Sequence, residues 1–134
     1  MSKLRWLFLG VVMLAGAASA QDGEYLFDTL KRPAFKKAWN AMLSGSSQVP
    51  SWVIAFGKGG NGVANPAIAV TLSGQAYQLG NVCKAHDCGG NEVHVLFASG
   101  GTQAWGLLLE TGKPPRFLGG PGAAQQKVLE DDAK

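Results

Sequence analysis

The chain has 134 residues, with twelve basic and nine acidic side chains, nineteen glycines and two cysteines. Its formal charge of +3 overstates its basicity: Lys3 and Arg5 lie in the first twenty residues, and the remainder sets ten basic groups against nine acidic ones, a net +1. That balance argues against a nucleic-acid binder, which uses a basic face to displace counterions, and length and composition exclude a large cofactor enzyme, a coiled coil and a membrane protein.

Residues 1–20 have the form of a cleaved signal peptide. Lys3 and Arg5 make a basic start, Leu7–Ala15 an apolar stretch, and Ala18-Ser19-Ala20 a small-residue cleavage site. Gln21 follows the cut where a lipid anchor would need cysteine. The expectation is a periplasmic protein, with no membrane anchor after cleavage, consisting of one domain over residues 21–134. An oxidising compartment favours pairing of two nearby cysteines.

Gln21–Thr29 is a mixed lead-in that Tyr25, Leu26, Phe27 and Leu30 can anchor. Pro33 suits the first turn of a helix, and Phe35, Ala38, Trp39 and Met42 follow at helical spacing up to Gly45. Trp52–Phe56 is a short apolar run after Pro50 and is taken as a strand. Gly57–Asn65 is a glycine-rich turn region. Its Gly-Lys-Gly-Gly-Asn-Gly run lacks the closing Gly-Lys-Ser/Thr of a phosphate loop.

Ala67–Ser73, Gln75–Cys83, Glu92–Phe97 and Gln103–Glu110 read as four further strands. No connection between Trp52 and Glu110 is long enough for a parallel crossover helix, so the sheet is an antiparallel meander. Arg116–Gly120 is a short extended piece. Pro121–Lys134 is a terminal helix, expected to be short or frayed because Glu130, Asp131 and Asp132 oppose its dipole. The front helix and this tail must cover the sheet. Trp39, Trp52 and Trp105 are packing residues. His94 alternates with Val93 and Val95 and is read as a half-exposed strand histidine.

Reactive residue types concentrate in Cys83-Lys84-Ala85-His86-Asp87-Cys88. A thioredoxin-like centre needs two residues between its cysteines and a helix N-terminus; four separate them here. Cys83, His86, Cys88 and His94 form a chemically reasonable zinc set, with cramped spacing between His86 and Cys88. Catalysis would need a serine or threonine nucleophile beside His86 or His94, and no nucleophile elbow is present. A glycosidase would need paired acids, and nothing pairs Asp87, Glu92 or Glu110. The remaining reading is a disulfide-closed loop. It either preorganises Lys84, His86 and Asp87 for a partner's cleft or merely secures a turn.

The segment resembles the signature loop of the bacterial inhibitors of vertebrate (C-type) lysozyme, whose motif is Cys-Lys-Pro-His-Asp-Cys. Val49-Pro50-Ser51-Trp52-Val53 and the run from Ala76 to Leu109 extend the resemblance over the chain that follows residue 20. The resemblance implies an α+β fold: a central five-stranded antiparallel sheet flanked by short helices on both faces, a three-layer sandwich. It implies an inhibitor rather than an enzyme, with C-type lysozyme as partner and neither cofactor nor metal. Cys83 and Cys88 match the family disulfide, Lys84 and Asp87 match their motif positions, and His86 matches the histidine that meets the two catalytic carboxylates. Family members include dimers and monomers, so self-association stays open. Ala85 departs from the motif's proline and gives up a fixed backbone dihedral. The rival expectation is a periplasmic structural or adaptor protein whose stapled turn has no enzyme target.

Overall fold

The computed structural model describes residues 22–134; the signal-peptide reading lies outside the described residues. Three helices come first: α1 (Leu26–Thr29), α2 (Pro33–Ser44) and α3 (Ser51–Gly57). A five-stranded sheet follows: β1 (Val63–Leu72), β2 (Gln75–Cys83), β3 (Glu92–Ala98), β4 (Ala104–Leu109) and β5 (Arg116–Leu118). Helix α4 (Ala123–Asp132) closes the described chain. Each strand pairs antiparallel with the next in the order β1-β2-β3-β4-β5. The meander and the three layers agree with expectation.

One strand assignment does not. Trp52–Phe56 belongs to helix α3, not to the sheet. A five-residue apolar run bounded by Pro50 and Gly57 carries no decisive period. Tertiary packing decides it: Val53, Phe56 and Gly57 are buried at helical spacing, while Ile54 and Ala55 face outward. The amides of Val53 and Ile54 both donate to the Pro50 carbonyl, at 3.1 and 3.3 Å. The sheet keeps five strands because Arg116–Leu118 pairs with β4. Strand β1 also starts earlier than expected, at Val63, and shifts register between Asn65 and Ile68, around Pro66. Proline is tolerated there because β1 is an edge strand. Ser73 and Gly74 join β1 to β2 with φ of 49° and 75°, the two left-handed residues of a type I′ hairpin turn.

Strand alternation sorts the core into two layers. Val82, Val93, Val95, Phe97 and Leu108 point to the α1–α3 side, where they meet Leu26, Phe35, Trp39, Met42, Val53 and Phe56. Leu79, Leu96, Trp105 and Leu107 point the other way and pack on Leu129 of α4. Trp39 and Trp105 are buried and Trp52 packs against the first layer, as expected. On the first side, the buried Gln78 donates to Thr29 Oγ1 at 2.9 Å and to Glu24 at 3.2 Å. Glu24 also accepts from Arg32 at 2.6 Å, so this polar cluster fastens α1 to β2.

Helix α4 is a regular ten-residue helix rather than a frayed turn. At its start, Gln125 accepts from the Gly122 amide at 2.8 Å. Its acidic end is neutralised by side chains. Asp131 pairs with Lys127 at 2.8 Å and with Lys134 at 3.3 Å, and Asp132 pairs with His94. The Leu129 side chain is fully buried. The unfavourable dipole term is worth only about 0.3–1 kcal/mol, less than burial of one leucine, about 1.5–3 kcal/mol.

Candidate functional site

The β2–β3 connection carries the motif. Register sets Cys83 opposite Glu92, and the Lys84 amide extends the ladder by donating to the Asn91 carbonyl at 2.9 Å. Cys83 and Cys88 form a disulfide with a Cα–Cα separation of 4.9 Å, within the usual range for such bridges. Inside the ring, the Asp87 amide donates to the Lys84 carbonyl at 3.1 Å. Lys84–Asp87 is therefore a four-residue turn with His86 third. His86 has φ of +64°, while Ala85 is not among the positive-φ residues. That pattern is the type II form, whose second position favours proline. Ala85 occupies that second position.

His86 and Asp87 are exposed. The ammonium of Lys84 lies 3.7 Å from Asp87, an exposed pair of little energetic weight. At the base, Asn91 Nδ2 donates to the Asp87 carbonyl at 3.2 Å and to Thr111 Oγ1 at 3.1 Å. The Thr111 amide returns a bond to Asn91 Oδ1 at 3.3 Å, and Thr111 Oγ1 donates to the Gly89 carbonyl at 3.4 Å. The sequence reading missed both braces. Their signal is that asparagine and threonine bond readily to nearby backbone in turns.

The metal reading fails on geometry. The two sulfurs are bonded to each other, and His94 belongs to another site. Among the described residues, no group of three or more His, Cys, Asp or Glu side chains could hold a metal ion. The redox reading fails as well, since the disulfide closes a strand–strand connection.

His94 is buried, with 4% of its surface exposed, not half-exposed. The alternation assigned it to the correct side of β3, but α4 covers that side. Its Nδ1 lies 2.6 Å from Asp132 and its Nε2 lies 2.8 Å from Glu92. Burial pushes the imidazole toward lower pKa, but the hydrogen bonds and charges of Asp132 and Glu92 outweigh it and raise the value above the ordinary 6.5. With both carboxylates ionised, an imidazolium satisfies the two contacts by donating from each nitrogen. These contacts make a structural clamp between β3 and α4. Glu110 faces Lys113 at 3.4 Å and Arg116 at 3.6 Å, so the acids near the sheet are held by bases.

A groove of about 640 Å³ opens beside the ring, between Ala85 and His86 on one side and Phe27, Phe56 and Val63 on the other.

The family model for the inhibitor of vertebrate lysozyme (Ivy) matches residues 34–127. An inhibitor of vertebrate lysozyme from Pseudomonas aeruginosa is 36% identical over 107 residues, covering 80% of this chain and 67% of the relative. One from Escherichia coli is 34% identical over 100 residues, 75% of this chain and 60% of the relative. A second, uncharacterized Pseudomonas aeruginosa protein is 32% identical over 143 residues, 96% of this chain and 90% of the relative. The chain thus spans about three fifths to two thirds of the two named inhibitors. The matched segment contains the ring, its Asn91–Thr111 brace and the whole sheet, and on this match the chain belongs to the family of inhibitors of vertebrate lysozyme.

Proposed function

We propose that this protein inhibits C-type lysozyme in the periplasm by inserting the Cys83–Cys88 ring into the active-site cleft. One observation carries the reading: an exposed histidine stands at the turn of a loop closed by a disulfide and braced from β4's far end by Thr111. Family membership supplies the target.

Glycoside hydrolysis by such enzymes uses one carboxyl group as acid and a second as nucleophile or stabiliser. A single imidazole between them occupies both, because its two nitrogens can each serve one oxygen. The ring is already shaped before contact, so little ordering entropy opposes binding. Release of Asp87 from its weak pairing with Lys84 frees a carboxylate for a cationic group on the enzyme and leaves Lys84 at the rim. At a net +1 beyond residue 20, long-range charge steering is small, and shape carries specificity.

The test is cell-wall lysis by a C-type lysozyme with increasing protein, before and after reduction of the disulfide. The expected result is inhibition that falls at least about tenfold on reduction and about thirtyfold in His86→Ala, the scale of a hot-spot contact. Undiminished inhibition by His86→Ala would assign the blockade to the ring backbone. No inhibition by the unsubstituted protein would leave the ring a structural staple.

A further inference from the structure

The ring shares its side of the molecule with a groove walled partly by apolar side chains and partly by polar groups. Phe27 is 46% exposed and Val63 56%, although both border the groove that Ala85 and His86 line. Tyr25, 40% exposed, stacks on Phe27 with ring centroids 5.3 Å apart and planes 6° from parallel. Leu26 of α1 and Leu30 just after it turn into the core, so Phe27 sits outside the packing that holds this segment. An exposed aromatic steadied by a second one is a preorganised contact surface at low entropic cost.

The floor between them is formed by Gly59, Gly60, Asn61 and Gly62. A Cβ on Gly60 would lie 2.7 Å from the Ala55 carbonyl oxygen, and one on Gly62 would lie 2.6 Å from Val82 and 2.8 Å from Phe56. Gly60 and Gly62 thus let the loop pack directly on Ala55, Phe56 and Val82, which fixes the position of the floor. Apart from His86, the lining contains no ionisable group. Asn61 and the glycine backbone add hydrogen-bonding groups beside Phe27, Phe56 and Val63, so a segment seated there is uncharged and carries both apolar and polar groups.

We propose that this groove is a second contact for the same lysozyme, receiving an uncharged segment from the lip of the cleft that His86 enters. This inference rests on the inhibitor reading. The occupant follows from continuity: Ala85 and His86 are at once ring and groove wall, so a body closing over the ring closes over Phe27 and Val63. The ring then supplies the blockade, and the groove prolongs residence and selects among lysozymes that differ at the lip.

The experiment is a lysozyme-inhibition titration with dissociation rates, using Phe27→Ala and Val63→Thr in the full chain. His86→Ala serves as the ring control and Phe117→Ala as the surface control. Phe117 is an exposed aromatic on β5, at the opposite edge of the sheet from β1. Each groove variant is expected to dissociate about 5–30-fold faster, with Phe117→Ala unchanged. Phe27 is exposed and Val63→Thr keeps a β-branched strand residue, so folding survives in both. Full inhibition by the groove variants together with failure of His86→Ala would overturn the groove and leave the inhibitor reading standing. An equal loss in Phe117→Ala, or self-association abolished by Phe27→Ala, would also overturn it. No inhibition by the unsubstituted protein would remove both readings.

Discussion

Asp132, the last residue of α4, holds the buried imidazole of His94 at 2.6 Å, across 38 positions of sequence. Glu92 holds the other nitrogen from β3 itself. The clamp fastens the terminal helix to the centre of the sheet, beside the strand end where the ring begins.

The clamp makes stability pH-dependent. The His94 pKa is raised by folding from 6.5, so the folded state binds the proton more tightly than the unfolded chain. The stabilisation is complete below about pH 6.5 and is lost as pH rises through the higher folded value. The thermal midpoint is therefore expected to fall on going from about pH 6 to about pH 9, and His94→Gln should flatten that slope. A midpoint independent of pH in the unsubstituted protein would show that the imidazolium adds nothing.

Asp132→Ala should loosen α4 without disturbing the ring. Removing a hydrogen bond to a charged group costs about 1.5–3 kcal/mol, offset in part by the roughly 0.3–1 kcal/mol that an acid at the helix C-terminus costs through the dipole. Urea unfolding should show the loss, and amide exchange should accelerate in α4 before β2 or β3. Lysozyme inhibition at low temperature should be unchanged.

Ala85→Pro should stabilise the protein by about 0.4–1 kcal/mol through the unfolded chain. Ala85 is the second residue of the Lys84–Asp87 turn, where proline is favoured, and its amide donates no hydrogen bond among the described residues. Urea unfolding under oxidising conditions measures the gain. A loss would show that the turn holds Ala85 away from the proline dihedral.

At position 86, folding and inhibition should part company. His86 adopts φ of +64°, a conformation costing an L-residue roughly 1–2 kcal/mol and glycine almost nothing, against about 0.5–1 kcal/mol of extra chain entropy for glycine. His86→Gly should therefore be as stable as the parent within about 1 kcal/mol, while inhibiting no better than His86→Ala. Retained inhibition by the glycine variant would mean that the imidazole is not the blocking group.

Asn91→Ala should soften the ring's base. Three side-chain bonds disappear, two of them to Thr111. They are exposed, so the expected loss is modest, about 1 kcal/mol. Hydrogen exchange at Lys84 should quicken, with inhibition several-fold weaker. Unchanged exchange would assign ring order to the disulfide alone.

What the sequence made legible was local or periodic. The ring is legible because both cysteines lie within six residues, and Glu92–Phe97 because its alternation spans both faces. Trp52–Phe56 was not, since five apolar residues fit either a buried strand or one face of a short helix, and only the approach of Val53 and Phe56 to Trp39 and Val82 decides. His94 was assigned the correct side and the wrong exposure, because covering that side depends on Leu129 and Asp132, far along the chain. The acidic tail reads as a flaw in a helix until its partner is seen. The Asn91–Thr111 brace likewise joins residues separated by 20 positions.

The ring projects from β2 and β3, and each of these strands is hydrogen-bonded to a neighbour on both sides. Its tip, residues 85–87, contributes no side chain to either buried layer. A change at the tip therefore leaves both core layers intact, so the scaffold beneath should tolerate substitutions there that alter inhibition.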